Sequence, residues 1–198
     1  RIRAAGFDMV ELHAAHGYLL GTFLSPFTNR RVDDYGGMAG NRARFLCEIL
    51  QATRRKVGPD FPISVRISGS EFLPGGTTIE DTLIQAPLLV EAGADALHIS
   101  AGAHENTETQ FLSYLWPDGY LTELASAVKR AVDVPVITVG KIGNPLIAEQ
   151  VLRDDRADFI ALGRSLLADP EWPNKASRNN LDEIQRCICC NNCWRRMF

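Results

Sequence analysis

The chain has 198 residues, 45% of them apolar, with 21 Lys and Arg against 24 Asp and Glu and a formal net charge of −3. That is enough apolar material for one sizeable core, and the lack of a basic run argues against nucleic acid, whose backbone recruits clustered Lys and Arg. No apolar run approaches the roughly 20 residues that cross a bilayer, and no signal-peptide pattern is present, so a cytoplasmic location without membrane attachment is expected.

In chain order, the opening RIRAAGFD reads as a helix already in progress, and the chain stops just after a cysteine cluster. A piece of a longer protein is therefore expected. Five short β-forming runs follow, at 10–13, 63–67, 96–100, 136–139 and 159–162. Each is nearly continuous in apolar residues, the pattern of parallel strands buried on both faces. Helices are predicted between them. The stretch 41–57 carries Phe45, Ile49 and Leu50 on one face. The stretch 78–92 starts at Thr78 with Glu80 close behind as a capping signal, and Pro87 should kink or shorten it. A third helix covers 121–131, and a fourth covers 145–152 with Asn144 as cap and Pro145 in the first turn. Asp169-Pro170 is a further start signal.

Alternating strands and helices fit either a (β/α)8 TIM barrel or a doubly wound sheet. No GxGxxG follows any strand, which removes the usual dinucleotide fingerprint. A barrel takes roughly 250 residues, so the expected fold is an α/β (β/α)8 barrel present in part, with about five βα units. The polar residues cluster after the strands, where such a barrel builds its site. His13, His16 and Tyr18 follow the first, Arg66 lies in the second, and the polar loop SAGAHENTETQ follows the third. Gly140-Lys141 and Gly163-Arg164 follow the last two. Gly lets backbone approach closely, N–H groups at a helix start point outward, and the cation adds charge, so this loop pair suits a phosphate. Tight turns with solvated cations are the alternative for either loop alone.

Four of the five cysteines crowd into 187–193, unlike a disulfide framework spread over a secreted domain. Cys187, Cys190 and Cys193 form C-x2-C-x2-C, a spacing that suits either an iron–sulfur cluster or zinc. Cys47 reads as a buried structural thiol.

The stretch GFDMVELHAAHGYLLGTFLSPFTNRRVDDYGG resembles the central signature of the Old Yellow Enzyme family of NADH:flavin oxidoreductases. NRARF, VRIS, VPVITVGKI and ADFIALGRSLLADP continue in family order, and CICCNNC resembles the iron–sulfur subgroup that includes 2,4-dienoyl-CoA reductase, trimethylamine dehydrogenase and the enoate reductases. The resemblance implies a partial FMN-binding barrel over 1–180, formed by its C-terminal units, and the start of an iron–sulfur segment over 181–198. It implies FMN, with Arg66 on the flavin ring and Gly140, Lys141, Gly163 and Arg164 on its phosphate. It implies a [4Fe–4S] cluster on Cys187, Cys190 and Cys193, with a fourth ligand beyond residue 198, and FAD in a further C-terminal domain. The implied activity is reduction of an activated alkene with hydride from NAD(P)H. His13 and His16 would hold the substrate carbonyl and Tyr18 would donate the proton. Asn29, Arg31, Asp33 and Tyr35, also in the signature, are expected to scaffold their loop by bonding one another.

Three departures stand out. Met38 and Gly40 replace a usual Ser and Glu, which should alter helix capping, and Lys141 stands where Arg is common. Other readings remain. An amine dehydrogenase of the trimethylamine dehydrogenase type would favour Tyr at position 13. A dihydrouridine synthase would need a basic face. A segment of five units alone would leave open strand edges and be inactive or self-associating, as a homo-oligomer.

Overall fold

The computed structural model describes residues 1–196. Residues 197 and 198, the end of the predicted cysteine segment, lie outside the described residues. Five parallel strands form one sheet: β1 Val10–Ala14, β2 Ile63–Ser68, β3 Ala96–Ser100, β4 Val136–Thr138 and β5 Phe159–Ile160. Their spatial order is β1-β2-β3-β4-β5, the order of the chain. A doubly wound sheet reverses direction at a switch point. Here each crossover adds the next strand on the same side, the strand order of a barrel wall with its helices on one face. The fold is thus five βα units of a (β/α)8 barrel.

The helices are α1 Leu19–Leu24, α2 Ala39–Val57, α3 Ile79–Glu91, the single turn α4 Thr107–Gln110, α5 Thr122–Lys129, α6 Pro145–Arg153, α7 Arg164–Ala168, α8 Trp172–Ser177 and α9 Asn192–Arg195. None of the described helices is long and apolar enough to cross a membrane. The core lies between sheet and helices. Ile63, Val65, Ile67, Leu97, Ile99 and Val136 pack on Leu46 and Leu50 of α2, Leu89 of α3 and Val128 of α5. These strand residues alternate with polar ones. Glu11, His13, Ser64, Arg66, Ser68, His98 and Ser100 occupy the other face, toward the barrel interior. The expectation of strands apolar on both faces is therefore corrected: the strands obey a period of two, and the inner face is polar.

Local chemistry explains most element ends. Thr78 and Asp81 form a reciprocal capping box at the start of α3, with Asp81 rather than Glu80 as the returning carboxylate. Pro87 does not shorten the helix, which runs on to Glu91. Asn144 caps α6 through the Leu146 N–H, with Pro145 in the first turn. β4 and β5 end before the predicted limits; Val139, Ala161 and Leu162, just past the strand ends, line a cleft, and the Ala161 N–H still donates to the Thr138 carbonyl at 2.8 Å. The buried Arg42 guanidinium joins three segments, donating to the Leu24 and Gly37 carbonyls and to Asp81 Oδ1 at 2.7 Å. It fixes the 25–38 signature loop on the scaffold. Within that loop Asn29, Arg31, Asp33 and Tyr35 do bond one another, and the Tyr35 hydroxyl donates to Glu48.

Met38 occupies the N-cap of α2 with extended backbone and no side-chain bond to the helix start, and it is 79% exposed. A side-chain acceptor there would satisfy an orphan N–H. Met38→Asp is expected to raise the unfolding free energy by about 1 kcal/mol, read from urea titration. No gain would mean that the loop entering α2 cannot adopt cap geometry.

Candidate active site

At the C-terminal end of β1 the chain turns sharply. His16 sits in the left-handed region at φ 63° and Gly17 follows at φ 77°. A Cβ at Gly17 would lie 2.8 Å from the His104 ring, so only glycine permits both the turn and the contact. The turn brings the predicted rings together. The His13 and His16 centroids are 5.0 Å apart, and those of His13 and Tyr18 are 5.2 Å apart. His104 joins them, its ring 4.9 Å from Tyr18. Sequence reading missed His104 as an individual residue. It lies far along the chain, and its only signal was membership of the polar loop after β3.

Arg66 lies beside this group. It pairs in register with His13 on one side and His98 on the other. Its Nη2 donates to Ser100 Oγ at 3.2 Å, and the same oxygen is 2.7 Å from His16 Nε2. Glu11 accepts from His98 Nδ1 and from Ser64 Oγ, both at 3.0 Å. Burial and the Arg66 charge act together on the imidazoles. Burial, then Arg66, pushes His16 down to about 3. Burial followed by Arg66 also lowers His13, with Glu11 opposing. Both rings are therefore neutral at pH 7. Burial alone would raise the Glu11 carboxyl, but bonds from His98 and Ser64 and the Arg66 charge bring it below its usual value. Burial lowers Arg66 itself, against the pull of Glu11.

A cleft of about 380 Å³ opens across the C-terminal ends of β2, β4 and β5. Arg66, Gly140, Lys141, Gly163 and Arg164 all line it, together with Gln110 of α4 and Cys187–Cys189. His13, His16 and Tyr18 stand outside its lining and connect to it through Ser100 and Arg66. The two loop cations are not solvated. Lys141 donates to the Trp116 carbonyl and pairs with Asp118 Oδ1 at 3.2 Å. Arg164 Nη1 donates to the Leu112 carbonyl at 2.8 Å and to Asn191 Oδ1. Gly163 caps α7, and nothing lies within 4 Å of where its Cβ would be, so its backbone faces open space. Among the described residues, Arg66 Nε and Gln110 Nε2 are buried donors in the cleft wall without a partner. Such orphan donors call for a ligand rich in acceptor atoms.

A family model described as the NADH:flavin oxidoreductase / NADH oxidase family matches residues 1–183. The chain belongs to that family. Among curated relatives it is 49% identical to an NADH oxidase of Thermoanaerobacter brockii and 37% identical to a cinnamate reductase of Clostridium sporogenes. These matches cover 96% and 95% of this chain but 29% and 30% of the relatives. Among solved structures, a 2-naphthoyl-CoA reductase matches 96% of this chain with a TM-score of 0.91 and 33% identity, over 29% of its own length. The chain thus spans less than a third of each of these three proteins. Family membership implies FMN. The orphan donors, the open backbone at Gly163 and the remaining N–H groups of Arg164 fit a flavin mononucleotide in the cleft.

The cysteine segment fits its expected group less well. Among the described residues, no three or more His, Cys, Asp or Glu side chains converge to hold a metal ion. Cys187 is half-buried, while Cys190 and Cys193 are exposed. Cys189, which lies off the C-x2-C-x2-C spacing, is the buried one and lines the cleft. It and Asn191 adopt left-handed backbone. The Cys189 N–H donates to Cys187 Sγ at 3.4 Å, and burial pushes the Cys189 thiol up. Cys47 is half-buried, its Sγ 3.7 Å from the Leu88 carbonyl, as expected of a structural thiol.

In an unfolded chain the His16 ring gains its proton near 6.5, and in the folded one near 3. Between those values the unfolded state holds more protons. The His16 contribution to stability is therefore complete above pH 6.5 and is lost as pH falls toward 3. Urea midpoints measured from pH 7 to pH 4 should fall more steeply for wild type than for His16→Asn. Parallel slopes would show that the ring is not held neutral.

Proposed function

We propose that this chain forms the C-terminal units of an FMN-dependent oxidoreductase that reduces the C=C bond of an activated alkene, such as an enoate, enone or dienoyl thioester, with NAD(P)H as hydride source. The observation that carries this reading is the convergence of two neutral imidazoles and one phenol beside a half-buried guanidinium. The relatives named for cinnamate and for a naphthoyl thioester support a conjugated acyl group as substrate class.

FMN, when bound, would supply hydride transfer between the nicotinamide and the alkene. Arg66 would hold the electron-rich edge of the flavin ring, and Gly140, Lys141, Gly163 and Arg164 would hold its phosphate. Lys141 and Arg164 keep N–H groups beyond those already bonded to carbonyls. His13 and His16, being neutral, would donate N–H to the substrate carbonyl oxygen, where negative charge grows as hydride reaches the β-carbon. A neutral donor leaves that oxygen an enolate rather than protonating it early. Tyr18, 52% exposed and in contact with His13 and His104, would deliver its proton to the α-carbon. One hydride and one proton then account for the saturated product.

The C-x2-C-x2-C spacing, with the family resemblance, supports a [4Fe–4S] cluster on Cys187, Cys190 and Cys193. The 187–193 segment would have to rearrange to bring these thiols together, since among the described residues they form no group that could hold a metal.

Two experiments on the full-length protein test these readings. In Tyr18→Phe, flavin reduction by NAD(P)H should keep its wild-type rate, while reoxidation by an enone should slow by roughly 10²–10⁴-fold, the usual worth of a general acid. Reoxidation at the wild-type rate would remove Tyr18 from that role. Iron and acid-labile sulfide analysis of anaerobically purified protein should give about four of each per cluster, lost when the three cysteines become Ser. Zinc without sulfide would overturn the cluster.

A further inference from the structure

Ser100 is buried, at 3% exposure, at the C-terminal end of β3. Its hydroxyl meets two groups, Arg66 Nη2 at 3.2 Å and His16 Nε2 at 2.7 Å. A guanidinium has no acceptor, so Arg66 donates to Ser100 Oγ. The serine hydrogen then needs an acceptor of its own, because a buried hydroxyl left unpaired is costly. His16 Nε2 is the one other atom bonded to that oxygen among the described residues. Donation from Ser100 requires that nitrogen to be bare.

Ser68 completes the grip. It pairs with Ser100 in register on the adjacent strand. Its Oγ accepts the His16 backbone N–H at 3.3 Å while donating to the Gly102 carbonyl at 2.9 Å. One serine thus holds the His16 backbone in its left-handed turn, and the other holds the ring. The neutral state required by this arrangement agrees with the burial of the ring beside Arg66.

We propose that Ser68 and Ser100 are positioning residues that fix His16 as the neutral tautomer with its proton on Nδ1. That leaves Nδ1–H as the single donor His16 offers a ligand. It also places one hydroxyl between the guanidinium at the cleft and the imidazole beside His13. The use made of that donor rests on the alkene-reductase reading; the tautomer does not.

The test is long-range ¹H–¹⁵N correlation NMR on full-length holoenzyme labelled with [¹⁵N]histidine, with His16 assigned by the signals lost in His16→Asn. The wild type should show a protonated Nδ1 and a bare Nε2. Ser100→Ala should move population toward the Nε2–H form, and Ser100→Thr, which keeps the hydroxyl, should restore the wild-type pattern. An Nε2–H tautomer in the wild type, or a folded Ser100→Ala with an unchanged pattern, overturns the inference. Should Ser100→Ala fail to fold, the wild-type and Ser100→Thr spectra decide it. No alkene is present in the measurement, so a protein that shows Nδ1–H yet reduces no alkene would count against the proposed reaction and for this inference.

Discussion

The two-residue period of the strands decides where every candidate functional side chain lies. In a parallel sheet, alternate residues point to opposite faces and neighbouring strands stay in register. The apolar half of each strand faces the helices and makes the core. The polar half is left to face the barrel interior in rows: Glu11 with Ser64, then His13 with Arg66 and His98, then Ser68 with Ser100. A shift of one residue in β2 would send Arg66 into the helix layer, where an unpaired guanidinium costs several kcal/mol. The register that builds the core therefore also builds the site.

Arg66 sets the electrostatics of those rows. It is a half-buried cation with an imidazole in register on each side and Glu11 one row below. A second positive charge in the row would be repelled as well as desolvated, which is why both burial and Arg66 push His13 and His16 toward the neutral form. Neutral imidazoles beside a permanent cation divide the labour. The cation can serve an anionic ligand, while the rings remain hydrogen-bond donors across the neutral pH range.

Much of this arrangement is legible along the chain. The five strands, the helices after them, the caps at Thr78 and Asn144, and the polar residues at strand ends follow from local pattern. The inner face was misread, because VELHA and ISVRIS are apolar enough to pass for continuous runs although every second residue is polar. The two loop cations share one cleft with Arg66, but their carbonyl partners were not foreseeable. Trp116 and Leu112 reach Lys141 and Arg164 across 25 and 52 residues, and no local pattern encodes such pairs. His104 escaped for the same reason. The cysteines show a further limit: spacing records how many residues separate two thiols, but not the left-handed backbone that the segment adopts at Cys189 and Asn191.

Those left-handed residues also tie the cysteine segment to the cleft. Asn191 accepts from Arg164 through Oδ1 and donates through Nδ2 to the Phe111 carbonyl. The Cys189 carbonyl accepts from the Tyr114 N–H at 3.2 Å, and Trp194 stacks at 5.0 Å on Phe111. The segment is thereby bonded to the loop after β3 and to the cation at the start of α7, and Cys187–Cys189 form one wall of the cleft. A change in cysteine ligation that moved Asn191 would alter both Arg164 and the 107–116 stretch. The reverse holds as well: a ligand that draws Arg164 toward the cleft must share it with, or take it from, the Asn191 side chain. Asn191 is thus the side chain through which Arg164, in the cleft wall, and the cysteine segment meet.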